Sequence, residues 1–435
     1  MDNKSQENIG RLDQQKPMDH TDRSWLSKLG PGLITGAADD DPSGIATYSQ
    51  AGAQYGFSML WTVLFTYPLM VGIQVVSARI GRVSGHGLAT NIRRHYPAWL
   101  LYFIVALLLI ANTINIAADV SAMGEALQLI IGGPAQLYAI GFGLFSLLLQ
   151  VWIPYRNYVR ILKWLTLGLL AYVATGFAIH IPWGQVVKQT LLPEFHWETA
   201  YITTVVAVFG TTISPYLFFW QASQEVEEQL AHPGARPLLE APEQAKANLK
   251  RIKIDTYIGM GFSNLIAFFI ILTTAVTLNQ HGLLDIQTSA QAATALRPIA
   301  GEFAFLLFSA GIIGTGLLAI PVLAGSSAYA MAGAFNWANS LESPLMSAKA
   351  FYAVIIISTV VGTALGFTAI YPIKALYWSA VINGVISVPI MVVMMLMSSR
   401  LDIMGQFCIK RRLRWLGWLA TLMMALAVAA MFVTL

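Results

Sequence analysis

The segment Gly36-Ala37-Ala38-Asp39-Asp40-Asp41-Pro42-Ser43-Gly44 places three carboxylates, a proline and a glycine inside an apolar stretch long enough to cross a bilayer. Charges in hydrocarbon are expensive and need a compensating role. Pro42 has no N–H and clashes with the preceding turn, so the helix is expected to break there. A break frees backbone carbonyls, and carbonyls beside carboxylates form a hard oxygen site suited to an oxygen-preferring cation. Asp41, next to the proline, is the principal candidate ligand. Asp39 and Asp40 lie roughly 200° and 100° around from it on a wound helix, so one of them is expected to face a vestibule. A water-exposed mouth or a salt bridge would account for the pair equally well.

A second break is predicted at Gly210-Thr211-Thr212-Ile213-Ser214-Pro215-Tyr216. It offers the Ser214 hydroxyl and the backbone around Thr211 as secondary ligands, with Gly44, Thr212, Tyr216 and Asn383 lining the site. Asn112, Asn115 and Asp119, at i, i+3 and i+7, share one helical face that should look inward. Asp119 reads either as a proton-relay acid or as a group that hydrogen-bonds Asn115. Ser379, Asn383 and Ser387 share a face in a later span, which makes Asn383 a better site wall than Asn264. Asp39, Asp40, Asn115, Asp119 and Glu225 are the candidate ion or proton path, although Glu225, Glu227 and Glu228 read more simply as a solvated helix end. None of the seven histidines falls in the middle of a span, which disfavours a histidine relay.

These residues sit in a chain of 435 residues that is 56% hydrophobic and 11% charged, too little polar surface to cover a soluble globule of that size. Windows of bilayer length divide it into eleven spans. With the N-terminus in the cytosol, every Lys and Arg of the 26 except Lys188, Arg297 and Lys374 falls on the cytosolic side, which places the C-terminus outside. This describes a multi-pass protein of the cell membrane. Residues 1–28 are read as a disordered cytosolic tail, 29–181 as spans one to five, 198–398 as spans six to ten and 410–435 as span eleven. The loop from about Ala231 to Arg251 is expected to hold a short amphipathic helix, with span seven starting near Asp255. The two broken spans stand five apart, the pattern of an inverted-repeat transporter with its site at the midplane. The basic residues orient the chain and meet lipid headgroups, so no nucleic-acid partner is implied. No nucleophile–base pair or metal triad lies within the spans, which excludes the usual enzyme chemistries. A single cysteine, Cys408, leaves no disulfide framework. A monomer suffices, and no cofactor is expected beyond a transported ion.

Gly30-Pro31-Gly32, Asp41-Pro42-Ser43-Gly44, Gln50-Ala51-Gly52-Ala53-Gln54-Tyr55-Gly56 and the sixth-span break together resemble the natural resistance-associated macrophage protein (Nramp) family of divalent-metal transporters. The resemblance covers essentially the whole transmembrane region. It implies an all-α leucine-transporter-like fold, a 5+5 inverted repeat with discontinuous helices 1 and 6 plus an eleventh helix, and alternating access around a metal. The chain departs from the family at the site. The Asp-Pro-Gly-Asn motif becomes Asp41-Pro42-Ser43-Gly44 and Met-Pro-His becomes Ser214-Pro215-Tyr216. Asp-x-x-Glu becomes Asp119-Val120-Ser121-Ala122, and a tenth-span glutamine falls at Ala380. Loss of the thioether weakens selection of soft metals, and a larger cavity suits an ion that keeps part of its water, as magnesium does. The pattern is similar to the Nramp-related magnesium-transporter branch. The expectation is a transporter of magnesium, possibly manganese, with weak or absent proton coupling. The alternatives are a proton-coupled manganese or iron symporter, an organic-solute carrier on the same fold, and a non-transporting ion sensor.

Overall fold

A computed structural model describes residues 31–153, 166–338, 340, 341, 345–367 and 371–435. The expected tail, Gly30, the first residues of span five and the cations Arg156, Arg160 and Lys163 lie outside the described residues. Among the described residues the chain is helical, with no strand.

Span one is two helices, α1 (Pro31–Asp39) and α2 (Pro42–Tyr55). Pro42 occupies the first turn of α2, where its fixed φ starts a helix and its missing N–H costs nothing. Gly56 then takes a positive φ of 58° that few other residues tolerate, and a short 3-10 turn leads into α3 (Leu60–Ser84). A short α4 (Leu88–His95) precedes α5 (Ala98–Ile131, span three) and α6 (Ala135–Trp152, span four). The described part of span five is α7 (Leu170–Ala178), followed by α8 (Trp183–Leu191). Span six is again two helices, α9 (Thr199–Thr212) and α10 (Pro215–Ala231), the second opening on Pro215 as α2 opens on Pro42. Spans seven to eleven are α11 (Ala245–Thr277), α12 (Ala304–Phe335), α13 (Lys349–Leu365), α14 (Pro372–Met397) and α15 (Arg411–Thr434).

One local expectation is corrected. The stretch before span seven holds no separate amphipathic helix; after a 3-10 turn at Pro242–Gln244 it is the start of α11, which begins ten residues before Asp255. The reason is Ala245-Lys246-Ala247-Asn248-Leu249, good helix-forming sequence with no breaker before the apolar run.

Eight helical stretches among the described residues are long and apolar enough to cross a membrane, and one of them, Pro42–Ser84, is interrupted at Gly56. The packing has an internal symmetry. Span one packs on α11 of span seven, and α10 of span six packs on α3 of span two. Spans three and four pair, as do spans eight and nine, and α5 meets α12 at the centre. Each contact maps onto its counterpart when spans one to four are exchanged for six to nine, as a repeated unit requires. Asn112 ties α5 to α12 by donating to Leu323 O (3.0 Å) and to the Ser326 and Ser327 hydroxyls (2.8 and 2.9 Å). In α12, a Cβ at Gly316 would lie 2.4 Å from Met123 Sδ and 3.4 Å from Pro42 Cγ, so this glycine lets span eight touch both span three and the first break.

Candidate functional site

The two breaks face each other in the interior. Asp39, Asp40, Asp41 and Asp119 are each at most 2% exposed, so the site is closed to both faces. Asp41 is the N-cap of α2. Its Oδ1 accepts from Gly44 N–H (2.8 Å) and from the Ser43 hydroxyl (2.6 Å). Its Oδ2 lies 3.1 Å from the Tyr216 hydroxyl, which is also 3.0 Å from Ala38 O at the end of α1. A carboxylate offers about four lone-pair directions, so three donors leave it able to take one more ligand in a fixed orientation. Tyr216 thereby joins the second break to the first.

Asp39 and Asp40 do not line a vestibule. The helix ends at Asp39, so the wound-helix angles do not apply, and both acids turn to Ser263 on α11. The Ser263 hydroxyl is 2.6 Å from Asp39 Oδ2 and 2.9 Å from Asp40 Oδ1, while Asp39 Oδ1 and Asp40 Oδ2 have no hydrogen-bond partner. In the sequence Ser263 is unmarked beside Asn264, the more conspicuous polar residue of span seven. A lone serine in an apolar helix carries little signal, because it satisfies itself on its own backbone.

On the second break, the Ser214 hydroxyl turns back to Gly210 O (2.9 Å) and Thr211 O (2.7 Å), satisfying carbonyls at the end of α9. Thr211 Oγ1 is buried and unpartnered, and it lies 3.3 Å from where a Cβ on Gly44 would be. Thr212 bonds the Tyr48 hydroxyl (3.0 Å) and Val208 O (2.6 Å), so it braces α2 against α9. The carbonyl ends of α1 and α9 both converge here, and helix C-termini favour a cation.

On the opposite wall, Asn115 Nδ2 donates to Asn383 Oδ1 at 3.0 Å, which leaves Asn115 Oδ1 and Asn383 Nδ2 unpartnered. Asp119, one turn further along α5, has both oxygens buried without a partner and is close enough to Asp41 to interact electrostatically. It does not bond Asn115. Glu225 stands apart from this group. It is fully buried and ion-paired with Arg251, so it is not a solvated helix end. Among the described residues no three His, Cys, Asp or Glu side chains converge as metal ligands. The atoms around the breaks are instead one fixed carboxylate, one unpartnered carboxylate, hydroxyls, amides and helix-end carbonyls.

Two broken helices at equivalent places of a repeated five-span unit, with a polar centre between them, define a membrane transporter of the leucine-transporter-like fold rather than an enzyme. A model of the natural resistance-associated macrophage protein-like family matches residues 32–434. The divalent metal cation transporter MntH of Klebsiella pneumoniae is 24% identical over 400 residues, covering 90% of each chain. A crystal structure of the Eremococcus coleocola manganese transporter superposes with a TM-score of 0.73 at 18% identity, over 95% of this chain and 89% of that one. Mhp1, a nucleobase-cation-symport-1 family transporter in a closed conformation, superposes with a TM-score of 0.53 at 14% identity, over 94% and 92% of the two chains. The chain belongs to the Nramp-like family.

Proposed function

We propose that the protein moves hard divalent cations, magnesium foremost and manganese second, by alternating access, with weak or absent coupling to protons. The N-terminus and most of the basic residues face the cytosol in this reading, in the cell membrane. The observation that carries it is the donor set at the breaks, where Asp41, Asp119, Thr211 Oγ1, Asn115 Oδ1 and the α1 and α9 carbonyls are all oxygen. Oxygen-only donors favour magnesium and manganese over softer metals. Gly44 supports the magnesium preference, because with no side chain there the chain offers no amide ligand beside Thr211 Oγ1, which lies 3.3 Å from where a Cβ would stand. A cation that sheds water reluctantly keeps its own water where the protein supplies no such ligand. Asp41 holds the ion directly, Thr211 and the carbonyls of α9 contact it or its water, and Asp119 balances its second charge.

Manganese is kept as a second cargo because the curated relative and the solved relative are named for divalent-metal and manganese transport. The retained Asp119, a buried acid with no partner, is the one feature that favours a proton-coupled cycle. Flux in proteoliposomes with magnesium, manganese and cadmium, recorded beside an internal pH dye, separates the readings. The proposal expects magnesium and manganese uptake with no acidification and little cadmium uptake. Acidification in step with manganese entry would establish the symporter instead. No flux of any divalent ion would leave the organic-solute carrier or the sensor.

A further inference from the structure

The basic end of the molecule carries a largely buried polar cluster that the cation site does not use. Arg251 on α11 is ion-paired with Glu225 on α10, and its second nitrogen lies 3.8 Å from Asp255 one turn along α11. Asp255 Oδ2 accepts from the backbone N–H of Gly32 at 2.7 Å, in the first turn of α1. Arg82, at the end of α3, donates to Asn248 at 2.8 Å one turn before Arg251. Four elements, α1, α3, α10 and α11, therefore meet in one polar cluster.

The backbone closes the same seam. A Cβ on Gly32 would lie 2.8 Å from Thr256 N, and one on Gly36 would lie 2.3 Å from the Gly259 backbone. So α1 rests on α11 with main chain against main chain, and no water fits between them. Nine residues long and separated from α2 by Asp40 and Asp41, α1 is a short rigid piece on a hinge. Its cap at Gly32 is at one end and the cation-site acids are at the other.

We propose that Asp255, with the Arg251–Glu225 pair behind it, is the gate on the basic face: it holds α1 against α11, and the site opens to that face when Gly32 N–H leaves Asp255. Asp255 and Arg251 are positioning residues, since neither touches the cation site. The energetics suit a gate that must cycle. A buried ion pair recovers little more than its desolvation cost, so the cluster holds the closed state by a small margin. A contact worth many kcal/mol would trap it. This proposal rests on alternating access and not on which ion is carried, and its readout needs no ion.

The test is cysteine accessibility in detergent, in a Cys408→Ser background, with a water-soluble thiol reagent. Thr35→Cys reports the seam, because Thr35 is fully buried in α1. Thr203→Cys reports the other face, where it lines a cavity of about 410 Å³ with Gln50, Asp285 and Lys374. Asp255→Ala is expected to raise labelling at position 35 about tenfold, the factor for about 1.4 kcal/mol, and to lower labelling at position 203. The double variant Glu225→Gln/Arg251→Gln, which leaves no lone charge in that pair, should act in the same direction. Unchanged labelling at position 35 in both variants would overturn the proposal. So would a rise at both reporters, which marks general loosening.

Discussion

Replacing Gly44 with asparagine places an amide where the Asp-Pro-Gly-Asn motif has one. The backbone permits it, since Gly44 lies in the first turn of α2, and asparagine is slightly better than glycine in a helix, by a few tenths of a kcal/mol. The Cβ would meet Thr211 Oγ1 at 3.3 Å and Asp39 O and Tyr48 Cε2 at 3.4 Å, contacts relieved by shifts of a few tenths of an ångström. The Cβ itself is therefore accommodated at small cost, and thermal melting checks that the variant is folded. The amide would stand beside Thr211 Oγ1 and offer a protein oxygen where the parent has none. It would exchange a cation-bound water for a protein oxygen. A hydrogen bond or ligand to a charged group is worth about 1.5–3 kcal/mol, which is roughly ten- to 150-fold in relative affinity. The Gly44→Asn protein should shift its manganese-to-magnesium preference toward manganese by about that factor, measured as competing uptake of the two ions in proteoliposomes. A folded variant with an unchanged preference would refute the claim that the missing side chain at Gly44 sets selectivity.

Asp119→Asn should lower magnesium uptake several-fold without changing the pH-dye trace, since the acid is assigned to charge balance; a proton signal present in the parent and lost in the variant would reassign it. Gly52→Ala should destabilise the protein severely, because the added Cβ would sit 2.1 Å from Thr274 Oγ1 and 2.3 Å from Ile271 O, with backbone unable to yield; expression and thermal melting report it. His86, between α3 and α4, has its pKa held below the usual histidine value by partial burial and then by Arg94 and Arg93. Stability from its neutral form is present above about pH 6.5 and is lost as pH falls through the lowered folded value. His86→Gln should flatten the fall in melting temperature on acidification, and an identical pH profile in parent and variant would contradict this.

The sequence was informative where a residue's chemistry acts locally. Pro42 and Pro215 mark the breaks because a proline cannot continue a helix, and the structure starts α2 and α10 on those two residues. The inward face of Asn112, Asn115 and Asp119 followed from helical period, and all three are buried. What stayed hidden depends on partners distant in the chain. Glu225 read as solvated because Arg251 is 26 residues away, across a loop whose course the sequence does not reveal. Ser263 stands 223 and 224 residues from the acids it joins. Ser214 looked like a ligand because it precedes Pro215, but a hydroxyl at a helix end is close to the carbonyls of its own preceding turn. Gln50 and Gln54 carried family resemblance without a role. In the structure Gln50 bonds Gln54, accepts from Ile286 N–H at 2.9 Å and donates to Leu284 O at 3.2 Å, which fastens α2 to the loop after span seven.

The central claim is that Asp41, fixed by Gly44, Ser43 and Tyr216, is the ligand on which cation passage depends. The direct measurement is magnesium uptake into proteoliposomes carrying a magnesium dye, with the parent protein and with Asp41→Ala at matched incorporation. The account predicts saturable uptake by the parent and a rate at the protein-free background for Asp41→Ala; comparable uptake by the two proteins would contradict it.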